Sequence, residues 1–327
     1  MIQAAIVGAG LMGRWHADAA VRAGARVVAV VDPQADRAQA LAAAEGARTA
    51  PSLAEADLAS VDVVHVCTPT ETHAELARSI LLAGRHAIVE KPLAEGAAQT
   101  GLLIGLAAER GRLLCPVHQY GFQEGVARVS GALHRLGAVR HVDVTICSAG
   151  ADGLNDQGRD RIASEILSHP LSLLVRLFDW PVDEIAWRVV RPAAGEIRAV
   201  AMAGRGTVEI LVSMGARPTR STLVILGDGG SAHVDLFHGF AVFERSGASR
   251  GRKIARPFSL AGGTLIRAGA NLARRAGRRE PAFPGLRELV GRCYEAVRDQ
   301  ALPGPIPPAE TLAVERAREA ILGRPDR

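Results

Sequence analysis

Apolar residues recur along this chain in two rhythms. In the first third, short apolar runs alternate with longer stretches of helical period. The runs are Ile2–Val7, Ala25–Val31, Val61–Cys67, Arg85–Lys91 and Leu113–Val117. The first has almost no polar interruption, which predicts a strand buried on both faces, as in a parallel sheet. Helical patterns cover Leu11 to about Ala23, residues 34–45, a short segment opened by Pro51-Ser52, Thr70–Ala83 and Ala94–Arg110. Gly46, Gly84 and Gly111 follow three of these, where a helix needs a left-handed residue to stop. Strand and helix alternating at short spacing predict an α/β domain with a doubly wound parallel sheet over residues 1–117.

The rhythm then changes. A helix is expected over Gly121–Leu136 and a strand over Val139–Cys147. The polar, glycine-rich Ala149–Asp160 reads as a loop, and a helical stretch runs from about Ile162 to Phe178, interrupted by Pro170. Consecutive strand candidates follow at 183–191, 196–203, 206–214, 220–226, 231–236 and 239–244, with hairpin signals at Gly204-Arg-Gly206 and Gly227-Asp-Gly-Gly230. Strands without intervening helices predict an α+β domain, residues 118–327, built on one open, mostly antiparallel sheet. Two helices, about 284–300 and 308–322, close the chain.

Net charge is +5, and arginine carries nearly all of it, because Lys91 and Lys253 are the only lysines. Such a balance favours anionic partners without choosing among them. The charge is uneven: Arg245 to Arg279 holds ten basic residues and no acid. The expected form is a solvated surface excursion, with Leu260–Arg275 as a candidate basic amphipathic helix. A phosphate clamp for an anionic substrate, a membrane contact or an oligomer contact are the functional alternatives. No apolar run approaches the roughly 18 residues of a membrane span. A strand beginning at Ile2 leaves no room for a cleaved signal peptide, so a cytoplasmic protein is expected. Cys67, Cys115, Cys147 and Cys293 are widely spaced, which predicts buried thiols rather than disulfides or a zinc site.

The first turn carries the sharpest signal. Ile2–Val7 ends in Gly8-x-Gly10-x-x-Gly13 and a helix follows. In such a turn the first glycine permits the bend, the second lets the backbone approach a pyrophosphate, and the third lets helix and strand pack closely. Backbone N–H groups around Leu11 and Met12 would face the phosphates, helped by the helix dipole. The second strand ends at Asp32, about 20 residues beyond the glycines, where a carboxylate can hold ribose hydroxyls. The expectation is a dinucleotide-binding Rossmann domain that prefers NAD, with NADP open because Arg37 could meet a phosphate. Without a ligand, the same residues read as a glycine-rich turn with Asp32 capping the next helix.

Lys91 stands at the carboxyl end of a predicted parallel strand, in Glu90-Lys91-Pro92, at the edge where open α/β sheets bind ligands. An ammonium there can donate to a substrate oxygen and can change protonation state, which a guanidinium cannot. Glu165 and His169 lie four apart on a predicted helix, a spacing that puts both on one face. A carboxylate beside an imidazole suits a general base, although a core or capping histidine fits the same spacing. His118-Gln119-Tyr120 follows the last strand of the first domain and is a candidate cleft lining. Metal-ligand spacing, GxSxG and Walker motifs are absent.

With these residues in view, the chain resembles the Gfo/Idh/MocA family of nicotinamide-dependent oxidoreductases. Four stretches carry the resemblance: Val7-Gly-Ala-Gly-Leu-Met-Gly13 with His16 after it, Cys67-Thr-Pro-Thr-Glu-Thr-His-Ala-Glu75, Glu90-Lys-Pro92 and Glu165-Ile-Leu-Ser-His169. The resemblance implies that Gly8, Gly10, Leu11, Met12, Gly13, Asp32, Thr68, Pro69, His73, Glu90 and Lys91 line the cofactor site. It implies catalytic roles for Lys91 and His169, with Glu165 orienting the histidine, and an oligomer contact through the C-terminal sheet. Two departures stand out. The family usually has Asp where Glu165 stands, and an Asn and an Arg near Gln119–Glu124 that this chain lacks. The expected function is hydride transfer between NAD(P) and a secondary alcohol or ketone of a sugar, cyclitol or sugar nucleotide. A cofactor-binding sensor or assembly protein without catalysis is the alternative. Nucleic-acid binding is not expected, because the basic stretch has no aromatic platform.

Overall fold

The computed structural model describes residues 1–247, 249–280 and 282–323. Within the basic stretch, Ala248 and the side chain of Arg252 lie outside the described residues. The chain forms two compact units, Met1–His118 with Leu286–Arg316, and Gln119–Gly285 with the residues from Ala317 onward.

In the first unit the elements run β1 (Gln3–Val7), α1 (Leu11–Arg22), β2 (Arg26–Val31), α2 (Ala35–Glu45), β3 (Arg48–Ala50), β4 (Val63–Val66), α3 (His73–Leu82), β5 (His86–Val89), α4 (Ala97–Arg110) and β6 (Leu114–Pro116). The six strands are all parallel, in the order β3-β2-β1-β4-β5-β6. With β1 and β4 at the centre, the chain winds outward in both directions. That reversal leaves a crevice at the carboxyl ends of the central strands. The core is built of small aliphatics: Ala5, Val7, Val31, Val64, Val66, Ala87 and Val89 are all buried. Strand β3 is absent from the sequence expectation because it is a polar edge strand, with Arg48 and Thr49 exposed. The segment after it turns instead of forming a helix; Asp57 accepts the Ala59 N–H at 3.0 Å and caps a single helical turn over Leu58–Ser60.

The second unit contains α5 (Glu124–Ala132), β7 (Val139–Cys147), α6 (Asp156–Ile166), α7 (Ser168–Leu177), β8 (Arg188–Val190), β9 (Glu196–Ala203), β10 (Gly206–Ser213), β11 (Arg220–Gly227), β12 (Gly230–Asp235), β13 (Phe240–Arg245) and α8 (Arg250–Gly277). Its seven strands form one open sheet, β13-β12-β11-β7-β10-β9-β8, antiparallel except where β10 runs parallel to β7. Alternate residues such as Val144, Ile146, Val208, Ile210, Leu223 and Ile225 are buried on one face. The other face carries Arg198, Met202 and His233.

Three elements differ from expectation. The helical stretch near Pro170 is two helices, and α6 begins at Asp156, inside the expected loop, where the Asn155 side chain caps it through the Gly158 N–H. The break falls at Leu167 because Pro170 has no N–H to give to the carbonyl of Ile166, four residues back. Pro170 then sits in the first turn of α7, where no donor is needed. The basic stretch is not a loose excursion: α8 is helical over 28 residues.

The C-terminal helices are α9 (Leu286–Arg298) and α10 (Pro308–Leu322). A boundary at 117/118 assigns both to the second domain, whereas Leu286–Arg316 packs within the first unit. The reason is the face of α9: Leu286, Leu289, Val290, Cys293, Tyr294 and Ala296 are buried there.

The turn after β1 shows which glycines the fold itself requires. Gly8 has φ +95°, a conformation L residues rarely adopt, and a Cβ there would lie 2.7 Å from the Cys67 carbonyl oxygen. A Cβ on Gly13 would overlap the Gly8 carbonyl oxygen, so α1 can lie against β1 only without a side chain there. Gly13→Ala should therefore cost about 1–3 kcal/mol in urea unfolding. An unchanged midpoint would contradict this packing.

Candidate active site

The site in the first unit is assembled from loops that follow parallel strands. After β1, Gly10 caps α1 without any side-chain hydrogen bond, and the first turn of α1 holds no acid. The N–H groups of Leu11, Met12 and Gly13 have no partners within the helix, as at any helix start, and the dipole is positive there. A Cβ at Gly10 would meet nothing within 4 Å. The protein itself thus gives no reason for glycine at that position, while an approaching anion would.

Asp32 ends β2 and is 8% exposed. One carboxylate oxygen accepts the Ala9 N–H at 2.7 Å and the other accepts the Gln34 N–H at 2.8 Å. It pins the glycine turn to the end of β2, and each oxygen keeps a lone pair for a further donor. Beside it lies a cavity of about 540 Å³ lined by Ala9, Gly10, Leu11, Arg14, Arg37 and Leu41, among others.

The loops after β4 and β5 are held together by His73, which is 1% exposed. Its Nδ1 lies 2.7 Å from the Pro92 carbonyl oxygen and its Nε2 lies 2.8 Å from that of Thr68. With both nitrogens engaged, His73 acts here as a brace between Thr68-Pro69 and Lys91-Pro92. The Thr72 hydroxyl adds a bond to the Pro69 carbonyl at 2.8 Å.

Beneath Lys91 runs a buried polar chain that reading the sequence did not reveal. Glu90 Oε1 lies 3.1 Å from His16 Nε2, His16 Nδ1 lies 3.0 Å from His65 Nδ1, and His65 Nε2 lies 2.7 Å from the Tyr294 hydroxyl. One arrangement of protons satisfies every member. Tyr294 donates to His65 Nε2, His65 Nδ1–H donates to His16 Nδ1, and His16 Nε2–H donates to the Glu90 carboxylate. The second Glu90 oxygen accepts the Lys91 N–H at 3.2 Å. Burial pushes the Glu90 carboxyl up, but the His16 hydrogen bond, the Lys91 charge and the Lys91 N–H outweigh it, so the net shift is downward. His65 is held well below its ordinary value, by burial first and then by His16. The only sequence signal for this chain is His16, three residues after Gly13; nothing in the pattern links it to Tyr294.

In the second unit, His169 opens α7 and is 7% exposed. The Tyr120 ring stacks on it, with centroids 4.2 Å apart and planes 8° from parallel. Burial raises the Tyr120 hydroxyl, against a hydrogen bond with Ser221. Ser172 donates to the His169 carbonyl at 2.8 Å. Glu165 lies in the last turn of α6 and His169 in the first turn of α7, and Leu167 between the two helices keeps right-handed helical angles, φ −57° and ψ −26°. No cluster of metal-ligating side chains occurs among the described residues.

A glycine turn feeding an uncapped helix start, an acid closing the second strand and a classical doubly wound strand order define a nucleotide-binding Rossmann module. Residues 2–118 match the Gfo/Idh/MocA family, described as "Oxidoreductase family, NAD-binding Rossmann fold". Over 115 residues it is 38% identical to the UDP-N-acetylglucosamine 3-dehydrogenase of Acidithiobacillus ferrooxidans, covering 35% of this chain and 36% of that one. Over 195 residues it is 33% identical to the 4-carboxy-2-hydroxymuconate-6-semialdehyde dehydrogenase of a Sphingobium species, covering 55% and 59%. The chain thus aligns with about one third to three fifths of the length of these relatives. The fold as a whole is that of the WlbA dehydrogenase of Bordetella pertussis, solved with NADH and UDP-GlcNAcA. That likeness has a TM-score of 0.76 at 20% identity and covers 98% of this chain and 94% of that one.

Two histidines, His65 buried and His86 half-buried, give the first unit a distinct pH response. His86 accepts the Leu113 N–H at 2.9 Å and is pulled from 6.5 down to about 4, by burial first and then by Arg112. His65 moves the same way. The unfolded chain binds protons at these sites that the folded chain excludes, so stability is intact above the unfolded value and falls as pH drops below it. Thermal melts should be level from about pH 8 to 7 and decline below about 6.5. His86→Asn keeps an acceptor for the Leu113 N–H and should make the decline shallower; an unchanged slope would refute this origin.

Proposed function

We propose that this protein is an NAD-dependent oxidoreductase. It transfers a hydride between nicotinamide and a secondary alcohol or ketone carbon of a sugar, cyclitol or sugar nucleotide. The observation that carries the reading is the anchoring of Glu90-Lys91. The only lysine of the first unit follows a carboxylate tied into a buried chain, at the carboxyl end of β5, in a module of this family. In the proposed assignment, Gly8, Gly10, Leu11, Met12, Gly13, Asp32, Thr68 and Pro69 hold the dinucleotide, and Glu90 and His73 support it by fixing the loops. When bound, NAD supplies the hydride acceptor.

The chain's own groups handle the oxygen. His169 takes the hydroxyl proton as the carbon loses hydride, and the Lys91 ammonium stabilises the negative charge that develops on that oxygen. Tyr120, stacked on the ring, fixes the plane of the imidazole. Glu165, four residues before the histidine, orients it in the proposed assignment. Holding the groups in register lowers the entropic part of the barrier. Asp32 favours NAD over NADP, because a 2′-phosphate would approach a buried carboxylate. We also assign self-association through the open face of the seven-stranded sheet, the contact implied by the family resemblance. An anionic substrate is less well supported: two of the arginines expected to meet it, Arg256 and Arg274, pair with Glu244 and Glu124 of the chain itself.

Glu165, standing where the family usually has Asp, and Pro170 directly after His169 favour one second reading, a dinucleotide-binding protein without turnover. A screen of sugars, cyclitols and sugar nucleotides by NADH absorbance separates the two. With any substrate found, Lys91→Ala should lower kcat about a hundredfold or more while NAD affinity and Tm stay nearly unchanged. Lys91→Arg should not rescue it. His169→Ala should show a comparable loss, partly relieved at alkaline pH. Near-normal turnover in Lys91→Ala would overturn this mechanism, and absence of turnover on the whole panel would favour the second reading.

A further inference from the structure

Helix α8 wears its polarity inside out. Ile254, Phe258, Ala261, Leu265, Ala268 and Leu272 follow one another at alternating spacings of four and three. That repeat places them in one stripe along a helix and is the seam pattern of paired helices. Ile254, Phe258, Leu265 and Leu272 are 70%, 78%, 75% and 71% exposed, and Ile266 at the margin is 69% exposed. The seam is flanked by Ala255, Gly262 and Gly269 on one side and by Pro257, Thr264 and Asn271 on the other. None of these is charged.

The charges point the other way. Between Ile254 and Leu272 the basic residues are Arg256 and Arg267, both on the side opposite the seam. Arg256 grips Glu244 through two bonds of 3.0 Å, and just beyond the seam Arg274 reaches Glu124 at 2.5 Å. Asn271 donates to the His238 carbonyl at 2.9 Å. The polar side thus docks α8 against its own unit, and the apolar side is left outward.

We propose that this seam is covered by the same seam of a second copy of the chain, helix against helix. The inference is independent of the proposed chemistry. Self-pairing brings no like charges together, because the seam and both its borders are neutral. Glycine and alanine at the borders let two helix backbones approach closely. The five large side chains present on the order of 700 Å² per copy, close to the roughly 800 Å² per partner of a standard interface. An anionic lipid surface fits less well. It calls for basic side chains bordering the apolar stripe, where this helix has Ala, Gly, Thr and Asn.

Sedimentation velocity of the whole chain over a range of concentrations tests the proposal. The wild-type protein should associate, and the Phe258→Ser/Leu265→Ser double variant should have half its mass. Both side chains are largely exposed, so Tm should not fall. Leu272→Ser alone should weaken association at least tenfold, and it provides a check if the double variant folds poorly. The same mass with and without the substitutions would overturn the proposal. A monomeric wild-type protein would do so too, and if it also floats with phosphatidylglycerol vesicles the seam meets lipid instead.

Discussion

The carboxylate of Glu90 is the constraint around which the first unit is arranged. A buried anion is costly unless it is hydrogen-bonded and paired. Here its partners come from places far apart in sequence: His16 on α1, His65 on β4 and Tyr294 on α9. Each must be in position before the next is satisfied, so the turn after β1, the centre of the sheet and a helix near residue 290 are fixed together. The carboxylate in turn fixes the backbone of Lys91. The energetic demands of the core and the placement of the Lys91 backbone are thus met by one set of contacts.

The same economy appears in the loops. Asp32 receives two backbone N–H groups and so holds the glycine turn, and His73 spans the carbonyls of Thr68 and Pro92. These residues look, in sequence, like direct cofactor contacts. Their geometry shows that they also shape the loops; Asp32 keeps lone pairs for a further donor, while both ring nitrogens of His73 face carbonyl oxygens.

What could be read from the sequence was set by the range of the interactions. The alternating runs, the glycine turn and Glu90-Lys91-Pro92 are local, and the parallel sheet, the open mostly antiparallel sheet and the family resemblance of the first unit followed from them. Strand β3 was missed because an edge strand need not be apolar, and the α6–α7 break was misplaced because the consequence of Pro170 falls four residues earlier. The partnership of His16 with Tyr294, the return of α9 to the first unit and the stacking of Tyr120 on His169 depend on tertiary packing alone. Composition revealed the basic stretch but not its orientation, since ten positive charges suggest a solvated face while two arginines of α8, Arg256 and Arg274, are turned toward Glu244 and Glu124 of its own unit.

The central claim is that the space in front of Gly10 exists for a dinucleotide pyrophosphate. Gly10 has ordinary backbone angles, φ −70° and ψ −159°, and a Cβ there would touch nothing in the protein. Gly10→Val therefore separates folding from binding in a way that few substitutions can. Calorimetric titration with NAD, alongside melting of the ligand-free protein, is the direct measurement. The account predicts that the wild-type protein binds NAD, and that Gly10→Val melts at the same temperature while losing about a hundredfold or more in affinity. Unaltered NAD affinity in Gly10→Val, or no NAD binding by the wild-type protein, would contradict it.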